Sequence, residues 1–342
     1  MRQSAIRKSY HFYHYSHSCR WTNYRVFNVR GLLQQVKKSK LSKDLESYGV
    51  DLFCLQETKI KSGCNKNVGK YRLICLKTTQ KDYGNGFMIS KRLEPKLERV
   101  WRVDDRISVL QIKLKKRSKH HILTIINVYA PHSDITLKTP EVTTDFYNKL
   151  ISTTNSVGKK SFMTLVVGDF NAEVGEKTDI DQCMGRFSLG KRNKNGQNLI
   201  DYCTNHDLTL SNTCFQHKKS RLITWQQTRI VNDRRVKVEK TLDYICIPTK
   251  FKHLQNSRSY QGTLTPSDHN LLITKINLEL FQIFKNINKA KFKKCKIFDT
   301  AMLNSNKEVQ ERHKEKVVQK LEHVEQKNWS QIKSAMVETL EN

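Results

Sequence analysis

No stretch of this 342-residue chain approaches the ~18 consecutive apolar residues of a membrane-crossing helix, so no membrane span is expected. Paired, metal-type cysteines are absent as well. The nine cysteines, at 19, 54, 64, 75, 183, 203, 214, 246 and 295, form no Cys-x-x-Cys unit. Their odd number, and the apolar surroundings of Cys54 and Cys246, point to reduced core thiols in an intracellular protein rather than to a zinc site. The start of the chain lacks the apolar segment of a secretory signal, since Met1–Lys8 leads into Tyr10, His11, Phe12, Tyr13, His14 and Tyr15. An acid-free start bearing Arg and Ser also suits a mitochondrial presequence, but a basic disordered tail over 1–21 is the preferred reading. No internal repeat is visible.

Acidic residues are scarce. Against 62 Lys and Arg stand 32 Asp and Glu, a formal charge of +30 that points to a polyanionic partner. Residues 1–43 hold ten basic residues and no acid, residues 280–342 hold thirteen against eight, and the stretch between keeps 39 against 24. A core that basic fits nucleic acid better than a lipid headgroup or a small phosphate ester, although a Lys-rich solvated surface gives the same count. The charge concentrates at 113–121, 186–194 and 229–240. The first reads as a hairpin tip. The third lies between Thr224-Trp225 and Leu242-Asp243, so it should project as a loop or hairpin, and Arg229, Arg234, Arg235 and Lys237 are candidate phosphate contacts.

What the chain does have is a set of polar residues at the ends of apolar runs. Thr164-Leu165-Val166-Val167 reads as a buried strand and delivers Gly168-Asp169-Phe170-Asn171-Ala172 at its end. Alternation sends Asp169 and Asn171 to one side about 6 to 7 Å apart, which suits two groups gripping one phosphate. A strand closing in an ordinary turn uses the same residue types. Ser267-Asp268-His269 borders the run Leu271-Leu272-Ile273 and sets an acid beside an imidazole, as proton transfer requires, or as an exposed loop histidine beside a turn aspartate would. In Leu242-Asp243-Tyr244-Ile245-Cys246-Ile247 an aspartate interrupts an apolar strand. A lone buried carboxylate is costly, so Asp243 needs a partner, and a histidine is the natural one. Val50–Leu55 is followed by Gln56-Glu57-Thr58, placing Glu57 as a metal ligand of the sparse kind magnesium uses. Asn28 ends Val26-Phe27, and Tyr129 falls near the end of Ile125–Pro131. Asn28, Glu57, Tyr129, Asp169, Asn171, Asp243, Asp268 and His269 thus all sit where layered α/β proteins assemble sites.

Strand-like runs recur at 24–29, 50–55, 71–76, 86–90, 106–114, 121–129, 162–167, 222–226, 242–247 and 270–276, with helices predicted at 34–48, 142–156 and 195–206. The pattern predicts an α/β sandwich of two sheets with outer helices over 22–278. A basic, Lys- and Asn-rich linker follows at 279–306. Over 307–342, Val309, Val317, Leu321, Val324, Ile332, Met336 and Leu340 make a narrow helical stripe that needs a partner, with a short coiled coil as the rival reading.

The ordered motifs FNVRGL (27–32), LQET (55–58), NVYAPH (127–132), VVGDFNAEVG (166–175), NKNGQNLIDYC (193–203), TW (224–225), LDYI (242–245) and SDHNLL (267–272) resemble the endonuclease/exonuclease/phosphatase superfamily. Within it, the chain is similar to the apurinic-endonuclease-like domain of LINE-type non-LTR retrotransposons and to craniofacial development protein 2-like sequences. Two departures remove no catalytic group: Phe27 stands where relatives often have Trp, and 262–266 lacks their Gly-Ala-Asp. The resemblance implies a four-layer, deoxyribonuclease I-like sandwich of two mixed sheets flanked by helices. It implies a magnesium-dependent DNA endonuclease, with manganese as a substitute, that leaves a 3′-hydroxyl and a 5′-phosphate for target-primed reverse transcription. Glu57, Asn28 and Asp268 would hold the metal. Asp169 would orient or deprotonate water, Asn171 and Tyr129 would hydrogen-bond the phosphate, and His269, set by Asp243, would donate a proton. Thr224 and Ser267 would join the basic hairpin in contacting double-stranded DNA. The resemblance further implies a nuclear location, with element RNA or a reverse transcriptase region of a parent polyprotein as partners. A phosphatase or phosphodiesterase of the same superfamily, and a decayed copy that only binds nucleic acid, are the alternatives.

Overall fold

The computed structural model describes residues 21–116, 119–231, 233–250, 254–277, 297–299 and 307–321. In one seven-stranded sheet, β1 (Trp21–Asn28) runs parallel to β2 (Leu52–Gln56), and the order continues through β5 (Gly86–Ser90) and β4 (Tyr71–Cys75) to β3 (Cys64–Val68) at the edge. On the other side of β1 lie β15 (Leu271–Asn277) and β14 (Leu254–Tyr260), both antiparallel to their neighbours. A second sheet is built on the parallel pair β8 (Lys119–Tyr129) and β9 (Met163–Asp169). β13 (Asp243–Pro248) and β10 (Leu208–Leu210) flank β9, while β7 (Ile107–Lys116) and β6 (Leu97–Arg102) flank β8.

Alternation along these strands explains the layers. Val26, Cys54, Ile125, Val167 and Ile245 point into the space between the sheets and share one core. Their neighbours Phe27, Phe53 and Leu55 face outward onto Leu41 and Leu45 of α1 (Gln35–Ser47). Ile126, Val128, Val166 and Tyr244 face the other way, onto Phe146 and Leu150 of α3 (Pro140–Gly158) and Leu199 of α4 (Lys194–Asn205). Burying each such side chain contributes about 1.5–3 kcal/mol, so the period of two fixes the register firmly. The result is the expected α/β sandwich of four layers.

The inner rows turn polar together at one end. Two residues beyond Val26 comes Asn28, beyond Cys54 Gln56, beyond Ile125 Asn127 and then Tyr129, beyond Val167 Asp169, and two before Ile245 stands Asp243. Buried amides bridge the sheets there: Gln56 Nε2 donates to Asn127 Oδ1 at 2.6 Å, and Asn127 Nδ2 donates to the carbonyls of Leu55 and Gly86 at 3.0 and 3.2 Å. Gly168 is required in this region, because a Cβ on it would lie 1.9 Å from the Val128 carbonyl oxygen of the adjacent strand.

Several elements differ from expectation. The strand predicted at 222–226 begins only at Trp225, where β11 (Trp225–Val231) pairs with β12 (Arg234–Lys240) as a separate two-stranded hairpin. β3, β6, β10, β12 and β14 and the short helix α2 (Ser133–Lys138) were not predicted, since sequences such as Cys64-Asn65-Lys66-Asn67-Val68 carry little apolar alternation. The basic stretch 113–121 does form a hairpin tip, ten residues and roughly 33 Å of strand from Tyr129. Inside the expected linker, β16 (Ile297–Asp299) adds to the β6 edge in parallel, and α5 (Lys307–Leu321) follows. The rest of that linker, residues 1–20 and the remainder of the segment expected to be helical, 322–342, lie outside the described residues.

Candidate active site

Strand register brings the acids together. Asp243 opens β13 opposite Asp169, and Tyr129 ends β8 opposite the same residue. Asn28 and Gln56 are register partners at the end of β1 and β2, so Glu57 follows directly beside Asn28. Glu57 and Asn171 then leave their strands with φ of 50° and 47°, a left-handed backbone that non-glycine residues adopt at a cost and that clusters at functional sites.

Asn28 sits at the centre. Its Nδ2 donates to Glu57 Oε1 at 2.7 Å and to Asp169 Oδ2 at 3.0 Å, and its Oδ1 accepts from the Arg30 amide at 3.1 Å. His269 Nδ1 lies 2.9 Å from Asp243 Oδ2, and its Nε2 lies 3.7 Å from Asp169 Oδ2. The second oxygen of Asp243 is buried without a hydrogen-bond partner. Burial pushes the Asp169 carboxyl up to about 7, with the Asp243 charge adding and His269, Asn28 and the Asn171 amide opposing. Burial alone would lower the His269 imidazolium, but the facing charges of Asp243 and Asp169 and the Asp243 hydrogen bond overturn this and raise it to about 9. The Tyr129 hydroxyl, hydrogen-bonded to Glu57, is pushed upward by burial and by Glu57 and Asp169, so it stays a protonated donor.

The structure therefore gathers Asn28, Glu57, Tyr129, Asp169, Asn171, Asp243 and His269. Asn171 is held through its Nδ2, which donates to the Ala130 carbonyl at 3.0 Å, and its amide donates to Asp169 Oδ1 at 2.9 Å. Asp268 is turned aside: one carboxylate oxygen accepts from Arg30 Nε at 3.0 Å and the other from Trp225 Nε1 at 2.9 Å. Ser267 acts as a connector, donating to the Asn28 carbonyl at 2.7 Å and accepting from the His269 amide at 3.1 Å. Thr224, expected to touch DNA, is 0 % exposed. Its hydroxyl accepts the amides of Leu242 and Asp243 at 2.9 and 3.0 Å, so it sets the start of β13 and cannot be a surface contact. Arg229, Arg234, Arg235 and Lys237 are exposed on the hairpin, as expected.

Two residues went unassigned in the sequence. Asn195 donates to the carbonyls of Pro131 at 2.9 Å and Asn171 at 3.0 Å, and so braces the loops after β8 and β9. It stood inside the NKNGQNLIDYC motif, where only a helix was read. Lys59 Nζ lies 3.4 Å from Glu57 Oε2, so Glu57 already faces a positive charge.

Among the described residues, the one group of three metal-type ligands is Asp169, Asp243 and His269. One histidine nitrogen there, Nδ1, is committed to Asp243, and the other faces Asp169 at 3.7 Å. Glu57, hydrogen-bonded by Asn28 Nδ2 and the Tyr129 hydroxyl, supplies a carboxylate of the kind a hard divalent cation takes from a protein besides water and phosphate.

Residues 26–269 match the Endonuclease/Exonuclease/phosphatase family. The chain belongs to that family. Its members are nucleases and phosphatases, so this is a phosphoester hydrolase fold with its polar mouth in place. The chain is 28% identical over 261 residues to craniofacial development protein 2 of Tragulus javanicus, covering 75% of this chain and 42% of that protein. It thus spans about two fifths of the length of the curated relatives it matches. Among solved structures, the AP endonuclease LMAP from Leishmania major superposes with a TM-score of 0.56 at 14% identity, over 75% of this chain and 88% of that one. The endonuclease domain of TRAS1, a telomere-specific non-LTR retrotransposon, superposes with a TM-score of 0.50 at 14% identity, over 75% of this chain and 99% of that one. These likenesses show the deoxyribonuclease I-like fold.

Proposed function

We propose that this family member is a divalent-metal-dependent DNA endonuclease of retrotransposon origin that nicks one strand, leaving a 3′-hydroxyl and a 5′-phosphate. One observation carries the reading: an exposed basic hairpin starts at a residue bridged to His269, which itself lies in a buried group of carboxylates. Trp225 forms a β-bridge with His269, and the Gln226 amide donates to the Asp268 carbonyl at 2.9 Å. A duplex lying on the hairpin would present its phosphates to that mouth. The charge of +30 supports a polyanionic substrate over a small ester. The likeness to the TRAS1 domain supports the retrotransposon origin, and a nuclear location follows from the substrate.

Glu57, with the Asn28 side chain beside it, would hold magnesium, with manganese as a substitute, and such an ion when bound neutralises charge at a non-bridging phosphate oxygen. The chain's own groups do the rest. Asp169, raised to about 7, accepts a proton from the attacking water near neutral pH. His269, protonated below about 9 and held by Asp243, donates to phosphoryl oxygen as negative charge builds. Tyr129 and Asn171 orient the phosphate.

The test is nicking of supercoiled plasmid with magnesium or EDTA, by the parent chain and by Asp169→Ala and His269→Ala. Nicking that needs metal and is lost in both variants is expected. DNA binding without nicking, or hydrolysis confined to small phosphate esters, would contradict the reading.

A further inference from the structure

The edge hairpin of the first sheet carries two thiols face to face. Cys64 of β3 and Cys75 of β4 are direct cross-strand partners, so both side chains lie on the same face of the sheet. That face is the outer one, where Cys75 is buried in the core beneath α1 and Cys64 packs against it from the rim. Directly opposed residues of an antiparallel pair have Cα atoms about 4.5–5.5 Å apart, inside the range that a disulfide spans. Both are free thiols. Cys64 is partly exposed and can be reached from solvent, whereas Cys75 is buried. Two cations stand near Cys64: Lys38, whose Nζ donates to the Leu33 carbonyl at 2.8 Å, and Lys66, whose Nζ donates to Gln35 Oε1 at 3.4 Å.

We infer that Cys64 and Cys75 form a reversible intramolecular disulfide, with Cys64 as the attacking thiol and Cys75 as the resolving one, and a low-molecular-weight disulfide as oxidant. The thiolate of Cys64 attacks one sulfur of that oxidant, forming a mixed disulfide and expelling one small thiolate. Cys75 then loses its proton, and its sulfur attacks Cys64 Sγ. The Cys64–Cys75 bond forms, the bond to the small thiol breaks, and a second small thiolate leaves. Two protein thiols are oxidised, and their electrons and protons end on two molecules of small thiol. A hydrogen bond from Cys75 holds the Cys64 thiol down at about 6, helped by Lys38 and Lys66 and against burial, which places Cys64 among partly exposed, electropositive, reactive cysteines.

The molecule supplies its own control. Cys203 and Cys246 also touch, but both are fully buried. The same chemistry is closed to them while the chain stays folded.

The experiment treats the full folded chain with glutathione disulfide, alkylates remaining thiols, digests without reduction and maps the peptides by mass spectrometry. A Cys64–Cys75 linked peptide should accumulate at least about tenfold faster than a Cys203–Cys246 one, and dithiothreitol should return it to free thiols. In Cys75→Ser, glutathione should remain on Cys64, because nothing resolves it. A parent chain that keeps both thiols free, or that carries glutathione on Cys64 with no linked peptide, would overturn the inference.

Discussion

The chemistry of the mouth is decided by single atoms. His269 is fully buried, yet its imidazolium is favoured because Asp243 Oδ2 stands 2.9 Å from Nδ1 and Asp169 Oδ2 3.7 Å from Nε2. Its folded value of about 9 exceeds the unfolded ~6.5, so its contribution to stability is complete below about 6.5 and is lost as pH rises through about 9. In the metal-free protein, an NMR titration should therefore find the His269 imidazole charged at neutral pH. Asp243→Asn should drop its midpoint by more than about one unit, since burial then dominates. An unchanged midpoint would show that Asp243 does not set the charge. Much of this was legible in the sequence, because a carboxylate inside Leu242–Ile247 needs a partner and His269 is one of few candidates. The turning aside of Asp268 was not legible, since Arg30 and Trp225 reach it from 238 and 43 positions away. Nor was the burial of Thr224, which only the pairing of its hydroxyl with the amides of residues 242 and 243 reveals.

At the scale of elements, the strands with clear apolar alternation were legible and those built from polar residues were not. β8 and β9 could be placed from Ile125, Ile126, Leu165 and Val166. β12, Arg234-Arg235-Val236-Lys237-Val238-Glu239-Lys240, pairs only with β11 and buries little, so no period of two is imposed on it. On that strand Arg234 and Arg235 stay exposed, while Lys237 is paired with Glu239 at 2.6 Å. Replacing Arg234 and Arg235 by Gln should lower the slope of log binding constant against log salt by roughly 1.8, the share of two phosphate contacts. Fluorescence anisotropy over a salt series measures it, and an unchanged slope would remove this hairpin from the interface. Where the hairpin joins the sandwich, Thr224→Val strands two buried amides and should lower unfolding free energy by about 1–3 kcal/mol in a denaturant titration. A loss near zero would mean that β13 starts without that cap.

Across the whole molecule, one arrangement repeats: inner rows of Val, Cys, Leu and Ile hold two sheets together, then give way at one end to Asn28, Gln56, Asn127, Tyr129, Asp169 and Asp243. The apolar interior lowers the local dielectric, which is why the Asp169 carboxyl there is displaced to a value useful for proton transfer. On the proposed reading, the excess of basic residues outside would draw a polyanion toward it. The central claim is that the Asp243–His269–Asp169 relay acts on a DNA phosphodiester. The most direct measurement is single-turnover cleavage of an end-labelled duplex by the parent chain and by His269→Ala, with magnesium present. A fall of at least about a hundredfold in the variant, with 3′-hydroxyl ends from the parent, is the predicted result. Equal rates in the two proteins would contradict the account.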